Sequence, residues 1–205
     1  MTDSIIVLYA TREGHTERIA GYVAEQIRSR GRTAEVLPVA HLPAGFDLAC
    51  YSAAILAASV HLGKHEREMT AFVKQHAADL QRIPGIFLSV SLSEAGAEDP
   101  TATPEARVKS AADVEHMIQD FVRETGWHPS EAKPVAGALL FSKYNWIMRF
   151  AMKRIAKAAG APTDTAHDYE FTDWAALDRV AEDAISHPGR SGSQYLSAAA
   201  APGSN

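Results

Sequence analysis

Four short stretches of the chain are apolar without alternation: Ser4 to Ala10 (SIIVLYA), Ser52 to Ala58 (SAAILAA), Pro84 to Leu92 (PGIFLSVSL) and Pro134 to Phe141 (PVAGALLF). Continuous runs of this length are what strands covered on both faces require. A fifth, weaker strand is predicted over Thr33 to Val39. Between the runs, apolar residues recur at three and four positions: Ile19, Val23 and Ile27; Met69, Phe72, Val73 and Leu80; Val114, Met117, Ile118 and Phe121. Strand and helix patterns in alternation predict an α/β fold of parallel strands joined by crossover helices. Two more helices are expected at about Tyr144 to Ala159 and Asp173 to Ser186, with Asp173 as an N-cap and Gly160 as a helix stop. Glu94 to Pro104 reads as a loop directly after the third strong strand, where an open parallel sheet places its binding loops. From His187 onward the chain is Gly, Ser, Ala and Pro with little to pack, and is expected to be disordered.

Composition narrows the classes of function. A chain of 205 residues, 46% hydrophobic and 22% charged, has room for one α/β domain and its core. A net charge of -5 gives no electrostatic reason to bind nucleic acid. Cys50 is the single cysteine, so an intrachain disulfide, a dithiol redox couple and a four-cysteine zinc site are impossible. Electron transfer would need a bound cofactor. No apolar stretch is long enough to span a bilayer and the start lacks the pattern of a signal peptide, so a cytoplasmic protein is expected.

The segment from Val7 to Ala20 is a buried strand, a hydroxyl-bearing turn and a helix. Free amides at a helix start, the positive end of the helix dipole, and the hydroxyls of Thr11 and Thr16 make an anion site, and Gly14 permits close approach or a positive φ. The loop lacks the lysine of GxxxxGK[ST] and the glycines of GxGxxG, which disfavours nucleoside triphosphate hydrolysis and dinucleotide binding. A monophosphate ester is the better ligand; the plain alternative is that Thr11 and Thr16 only cap a helix.

Thr11-Arg12-Glu13-Gly14-His15-Thr16 resembles the [ST]-x-x-G-x-T phosphate loop of flavodoxin-like proteins, at that family's usual place after the first strand. The resemblance implies FMN and a flavodoxin-like three-layer α/β/α sandwich with a five-stranded parallel sheet, spanning residues 1–187 and followed by a tail at 188–205. It further implies that Ser59, Val60, His61, Leu62 and Gly63 border the flavin ring, with Ser89, Val90, Ser91 and Leu92 on its other side. Downstream the chain resembles the menaquinone-dependent protoporphyrinogen oxidases of bacterial haem synthesis. The marks are Ala136-Gly137-Ala138-Leu139, Tyr144-Asn145-Trp146 with Arg149-Phe150, Thr163-Asp164-Thr165 and Thr172-Asp173-Trp174. Two departures stand out: Leu62 occupies the position of an aromatic before Gly63, and the long loop carries Glu94, Glu98 and Asp99 where the family is basic.

That resemblance implies oxidation of protoporphyrinogen IX, three two-electron turnovers per molecule, with menaquinone or ubiquinone as acceptor. The isoalloxazine would carry the chemistry, so no catalytic triad is expected, and main-chain groups of Ser59 to Gly63 and Ser89 to Leu92 would tune the ring. His61 is the one residue of these loops titrating near neutrality, a candidate for proton transfer or a shield over the flavin edge. His15, His65 and His76 do not fall in metal-ligand spacing. Lys143 to Lys157 holds five cations and no acid. On a helix, Trp146 and Phe150 lie among Arg149, Lys153 and Lys157, a face suited to the anionic inner membrane or to a tetrapyrrole and its propionates. Alternatively the aromatics pack under Asp164 to Asp173 and the cations are solvated. A flavodoxin electron carrier without a substrate of its own, and a scaffold that has lost flavin, are the rival functions.

Overall fold

Alternate residues of the first apolar run point to opposite sides of a sheet, and each side meets its own helices. The structure is a computed structural model that describes residues 4–140, 142, 164 and 167–186. In β1 (Ser4–Ala10), Ile5, Val7 and Tyr9 join one core cluster, while Ile6, Leu8 and Ala10 join the other. The first cluster takes Ile19, Val23 and Ile27 from α1 (His15–Ser29) and Leu177, Val180 and Ala181 from α5 (Trp174–Ser186). The second takes Met69, Phe72, Val73 and Leu80 from α2 (Arg67–Leu80) and Phe121 from α4 (Pro104–Thr125). Two buried faces explain the unbroken apolar runs, and each fully buried aliphatic side chain contributes about 1.5–3 kcal/mol of transfer free energy.

The parallel sheet runs in the order β2-β1-β3-β5-β6, with β2 at Thr33–Pro38, β3 at Ala53–His61, β5 at Gly85–Ser91 and β6 at Glu131–Ala136. The order reverses beside β1, so the loops after β1 and β3 open outward at the carboxyl edge, where α/β sheets bind ligands. Two small antiparallel additions were not expected from sequence. Strand β4 (Lys64–His65) folds back on the end of β3, and β7 (Ala138–Leu139) pairs with β8 (Tyr169–Glu170).

The structure corrects two expectations. The predicted loop from Glu94 is helical: α3 (Leu92–Glu98) starts at once after β5, with Ser91 Oγ accepting the Glu94 amide at 3.1 Å. Its other end is held by Arg107, whose Nε donates to the Ala97 carbonyl at 3.1 Å. Gly96 lies against α4, where a Cβ would meet Ser110 Oγ at 3.0 Å, so the glycine that reads as a loop signal is a packing residue. The last strand begins earlier and ends sooner than the run Pro134 to Phe141. Pro134 is tolerated inside β6 because, among the described residues, β6 is the edge strand and pairs on one side only. After Gly137, whose amide donates to the Ser91 carbonyl at 2.9 Å, the chain leaves the main sheet for the β7–β8 pair.

The helix expected at Tyr144 to Ala159, its stop at Gly160, the face of Trp146, Arg149, Phe150, Lys153 and Lys157, and the tail at 188–205 lie outside the described residues. Among the described residues no helix is long and apolar enough to cross a membrane.

Gly85 opens β5 under the fully buried Trp127, and a Cβ there would stand 2.5 Å from the indole. Gly85→Ala is expected to lower the unfolding free energy by about 1–3 kcal/mol through overpacking, read from urea denaturation.

Candidate functional site

Four residues separate the end of β1 from the start of α1, and the last of them, Gly14, holds φ at +91°. A left-handed glycine at the cap has no side chain with which to bond the helix start, and none other caps it. The Arg18 amide reaches the Gly14 carbonyl at 3.3 Å, so the amides ahead of it in the first turn are left without intrahelical acceptors. The turn is preset by Thr11, whose Oγ1 accepts the Gly14 amide at 3.0 Å and keeps its own proton to donate. Thr16 is buried in the first turn of the helix. Open amides, a hydroxyl proton and the positive pole of a 15-residue helix form a donor set fitted to a phosphate ester.

His15 belongs to that loop in sequence, yet its ring turns into the protein. Its Nε2 lies 2.7 Å from Thr172 Oγ1, and that hydroxyl donates to the Ala136 carbonyl at 2.7 Å. Because the single hydroxyl proton of Thr172 is committed to Ala136, His15 Nε2 carries the hydrogen and Nδ1 is left as a buried acceptor without a partner. Burial holds the His15 pKa below the ordinary imidazole value, against the opposing pull of Glu170 and with the help of Arg18. Trp174 meets the His15 ring edge-on, and Asp173 Oδ1 accepts the Ala176 amide at 3.0 Å as the cap expected of it. The run Thr172-Asp173-Trp174 thus braces the back of the α1 start. Sequence reasoning gave these residues no structural role beyond that cap.

Strands β3 and β4 are joined by a two-residue turn, Leu62 and Gly63, with φ of +51° and +76°. Positive φ at both positions matches the right-handed twist of the flanking strands, which is why glycine is common there and leucine is not. The Leu62 side chain is 91% exposed. Val60 and His61 are paired with His65 and Lys64, so the turn itself is the free part of this loop.

A buried carboxylate that belongs to no sequence motif, Glu66, ties the two loops together. Glu66 accepts from Ser59 Oγ at 3.3 Å and from Arg12 at 3.3 Å, and His61 Nε2 lies 3.4 Å away. His61 Nε2 also lies 3.1 Å from Glu13. Arg12 and Glu13 come from the β1–α1 loop, while Ser59, His61 and Glu66 come from the end of β3 and the residue before α2. The available signal was position: an acid between a buried strand and a helix at the carboxyl edge.

On the far side, Ser89 and Val90 lie inside β5, laddered to β3 on one flank and to β6 on the other. Their main-chain groups are committed to the sheet, while Ser91 is the last laddered residue and Leu92 begins α3 at the carboxyl edge. Ser91 in turn caps α3 with its hydroxyl. Beyond it Glu94 is pushed up to about 7 by burial, with Glu98 adding to the shift, and Glu98 is itself raised by burial and by Asp173. Ser89 Oγ meets the buried His65 at 2.9 Å, between the rings of Phe87 and Phe121.

A parallel sheet in this order, with an open helix start after its first strand, defines a mononucleotide-binding α/β protein. The chain belongs to the flavodoxin domain family, which it matches over residues 6–166. It is 31% identical over 169 residues to the protoporphyrinogen IX dehydrogenase (quinone) of Escherichia coli strain K12, covering 82% of this chain and 87% of that one. The protein of the same name from Leishmania major is 30% identical over 185 residues, covering 89% and 75% of the two chains. Among solved structures, oxidised flavodoxin 1 from Bacillus cereus is similar over 90% of this chain and 98% of its own, at 16% identity and a TM-score of 0.47. FMN is the cofactor that goes with the family, and the donor set at the start of α1 fits its phosphate.

Burial pulls the His65 pKa down to about 4 from 6.5. The unfolded chain takes up this proton near pH 6.5 and the folded one only near pH 4, so stability is full above the first value and falls toward the second. The expected loss across that window is on the order of 3 kcal/mol. It is measured by denaturant unfolding at stepped pH, and the His65→Gln protein should show a flatter profile.

Proposed function

We propose that this chain, loaded with FMN, oxidises protoporphyrinogen IX to protoporphyrin IX in haem biosynthesis and hands the electrons to a membrane quinone, menaquinone or ubiquinone. The observation that carries the reading is the 31% identity to a quinone-linked protoporphyrinogen IX dehydrogenase over 82% of the chain. The site supports its flavin half. Thr11 and the first-turn amides of α1 hold the phosphate, and the turn of Leu62 and Gly63 borders the ring, opposite Ser91 and Leu92. FMN supplies the two-electron chemistry, and the protein supplies position and electrostatics. Glu66, Arg12 and His61 fix the distance between the phosphate loop and the ring-side turn. His61 Nε2 faces Glu13 and Glu66 rather than open solvent, so its part is to lock these loops. Because the acceptor resides in the bilayer, the protein works in the cytoplasm at the inner membrane, in peripheral contact with it.

The half-buried acids Glu94 and Glu98, close to Asp173, favour a second reading, an FMN electron carrier that docks through acidic groups.

Anaerobic incubation of the FMN-loaded protein with protoporphyrinogen IX, with and without menaquinone, separates the two by porphyrin fluorescence. Quinone-dependent porphyrin formation is expected. An FMN-loaded protein that cycles with a flavodoxin reductase and leaves the porphyrinogen unchanged would be a carrier. Thr11→Val removes both the Gly14 acceptor and the phosphate donor, and should weaken FMN binding by about 10- to 100-fold in a flavin fluorescence titration.

A further inference from the structure

Beside the Leu62–Gly63 turn, on the α2 and α4 face of the sheet, lies an open groove of about 690 Å³. Gly63 and Lys64 form one end of it, α2 contributes Arg67, Ala71 and Lys74, and α4 contributes Met117 and Phe121. Met117 and Phe121 are buried core residues, which gives the groove an apolar lining contiguous with the interior. Its cations divide into two sets. Lys74 is tied to Glu124 of α4 at 2.8 Å, and Arg123 is tied to Asp120. Lys64 and Arg67, both exposed, have no ion-pair partner among the described residues. They stand at the end nearest the turn. Lys64 also helps hold the Glu124 carboxyl below its ordinary value, after the larger effect of Lys74, so its field already reaches across the groove.

Leu62 adds an independent observation at the same end. A leucine held at φ +51° and 91% exposed sits in a backbone region that favours glycine and offers apolar surface to water. The positive φ serves the hairpin turn, but the exposed side chain adds nothing to the core. Its exposure makes sense if the side chain rests on an apolar ligand.

We propose that this groove binds a flat, largely apolar macrocycle through its carboxylates: Lys64 and Arg67 receive the anionic groups, Met117 and Phe121 line the seat, and Leu62 covers the edge. The groove's own acids, Asp120 and Glu124, are taken by Arg123 and Lys74, so Lys64 and Arg67 beside Met117 and Phe121 select a ligand that is both anionic and hydrophobic. The volume exceeds what a single-ring ligand fills. Gly63 belongs to both the groove and the turn at the ring side, so a bound macrocycle is delivered to the flavin edge. The identity of the macrocycle as a tetrapyrrole rests on the function proposed above; the site itself rests on the groove.

The test is binding of protoporphyrin IX to the FMN-loaded protein, followed by porphyrin fluorescence anisotropy, with the dimethyl ester as the uncharged counterpart. The double variant Lys64→Glu, Arg67→Glu is expected to bind protoporphyrin IX at least about 10-fold more weakly while FMN affinity is unchanged. Lys109→Glu, which reverses an exposed cation at the other end of α4, should bind as the parent does. The ester should bind the parent protein no better than it binds the double variant. Unchanged porphyrin affinity in the double variant, or equal affinity of acid and ester for the parent, overturns the proposal. Turnover separates the two readings. A groove that binds porphyrin as expected in a protein that leaves porphyrinogen unoxidised retains the site and removes the enzyme. Oxidation with an unaltered KM in the double variant retains the enzyme and removes the site.

Discussion

The first turn of α1 begins on a glycine, so its amides have no side chain to turn to, and the carboxyl edge of the sheet is arranged around that deficit. Helices α3, α4 and α5 are capped by Ser91, Thr103 and Asp173. At α1 the hydroxyl of Thr11 spends its acceptor on Gly14 itself and shapes the turn instead of closing it. An anion that arrives there replaces water on groups the protein leaves open, and meets the positive end of a helix whose apolar side is fully buried. The brace behind it is equally specific: the bonds from His15 to Thr172 and from Thr172 to Ala136 fix the helix start against β6 and α5.

The proposed function also needs the second loop held at a set distance from the first, and Glu66 joins the two. One carboxylate gathers Arg12 from the first loop with Ser59 and His61 from the second, and Glu13 closes the circuit on His61. A buried carboxylate costs several kcal/mol of lost hydration unless its oxygens are bonded, and here both are engaged. The two loops are therefore coupled by a charge network whose members are expensive to separate. The hairpin beyond it can present its turn at a fixed distance from the phosphate loop.

The parallel architecture was legible because burial on two faces leaves an unmistakable trace: β1 occupies Ser4–Ala10 as the apolar run predicts, and β5 differs from its run by one residue at each end. The start of α5 was legible through Asp173. What escaped has a common cause, which is that its signal lies in three dimensions. Gly96 looks like a loop residue until Ser110 of α4 is beside it. Pro134 marks a strand start in sequence, yet it sits mid-strand because no described residue pairs with its outer side. In the site, the loop motif puts Thr11 and Gly14 on the turn before α1, where they stand, but residue order alone does not say which way His15 points, nor that Glu66 joins loops 54 positions apart. Ser89 and Val90 are near the edge by count and inside the ladder by pairing.

Pro134 has one more effect. It removes a main-chain donor in the middle of the outermost strand on that side, and the next residue back, Lys133, is engaged by Asp183 and Glu131. A foreign strand aligning there would find a gap in the template and charge to displace. Among the described residues, this flank of the sheet is therefore a poor template for edge-to-edge pairing through β6.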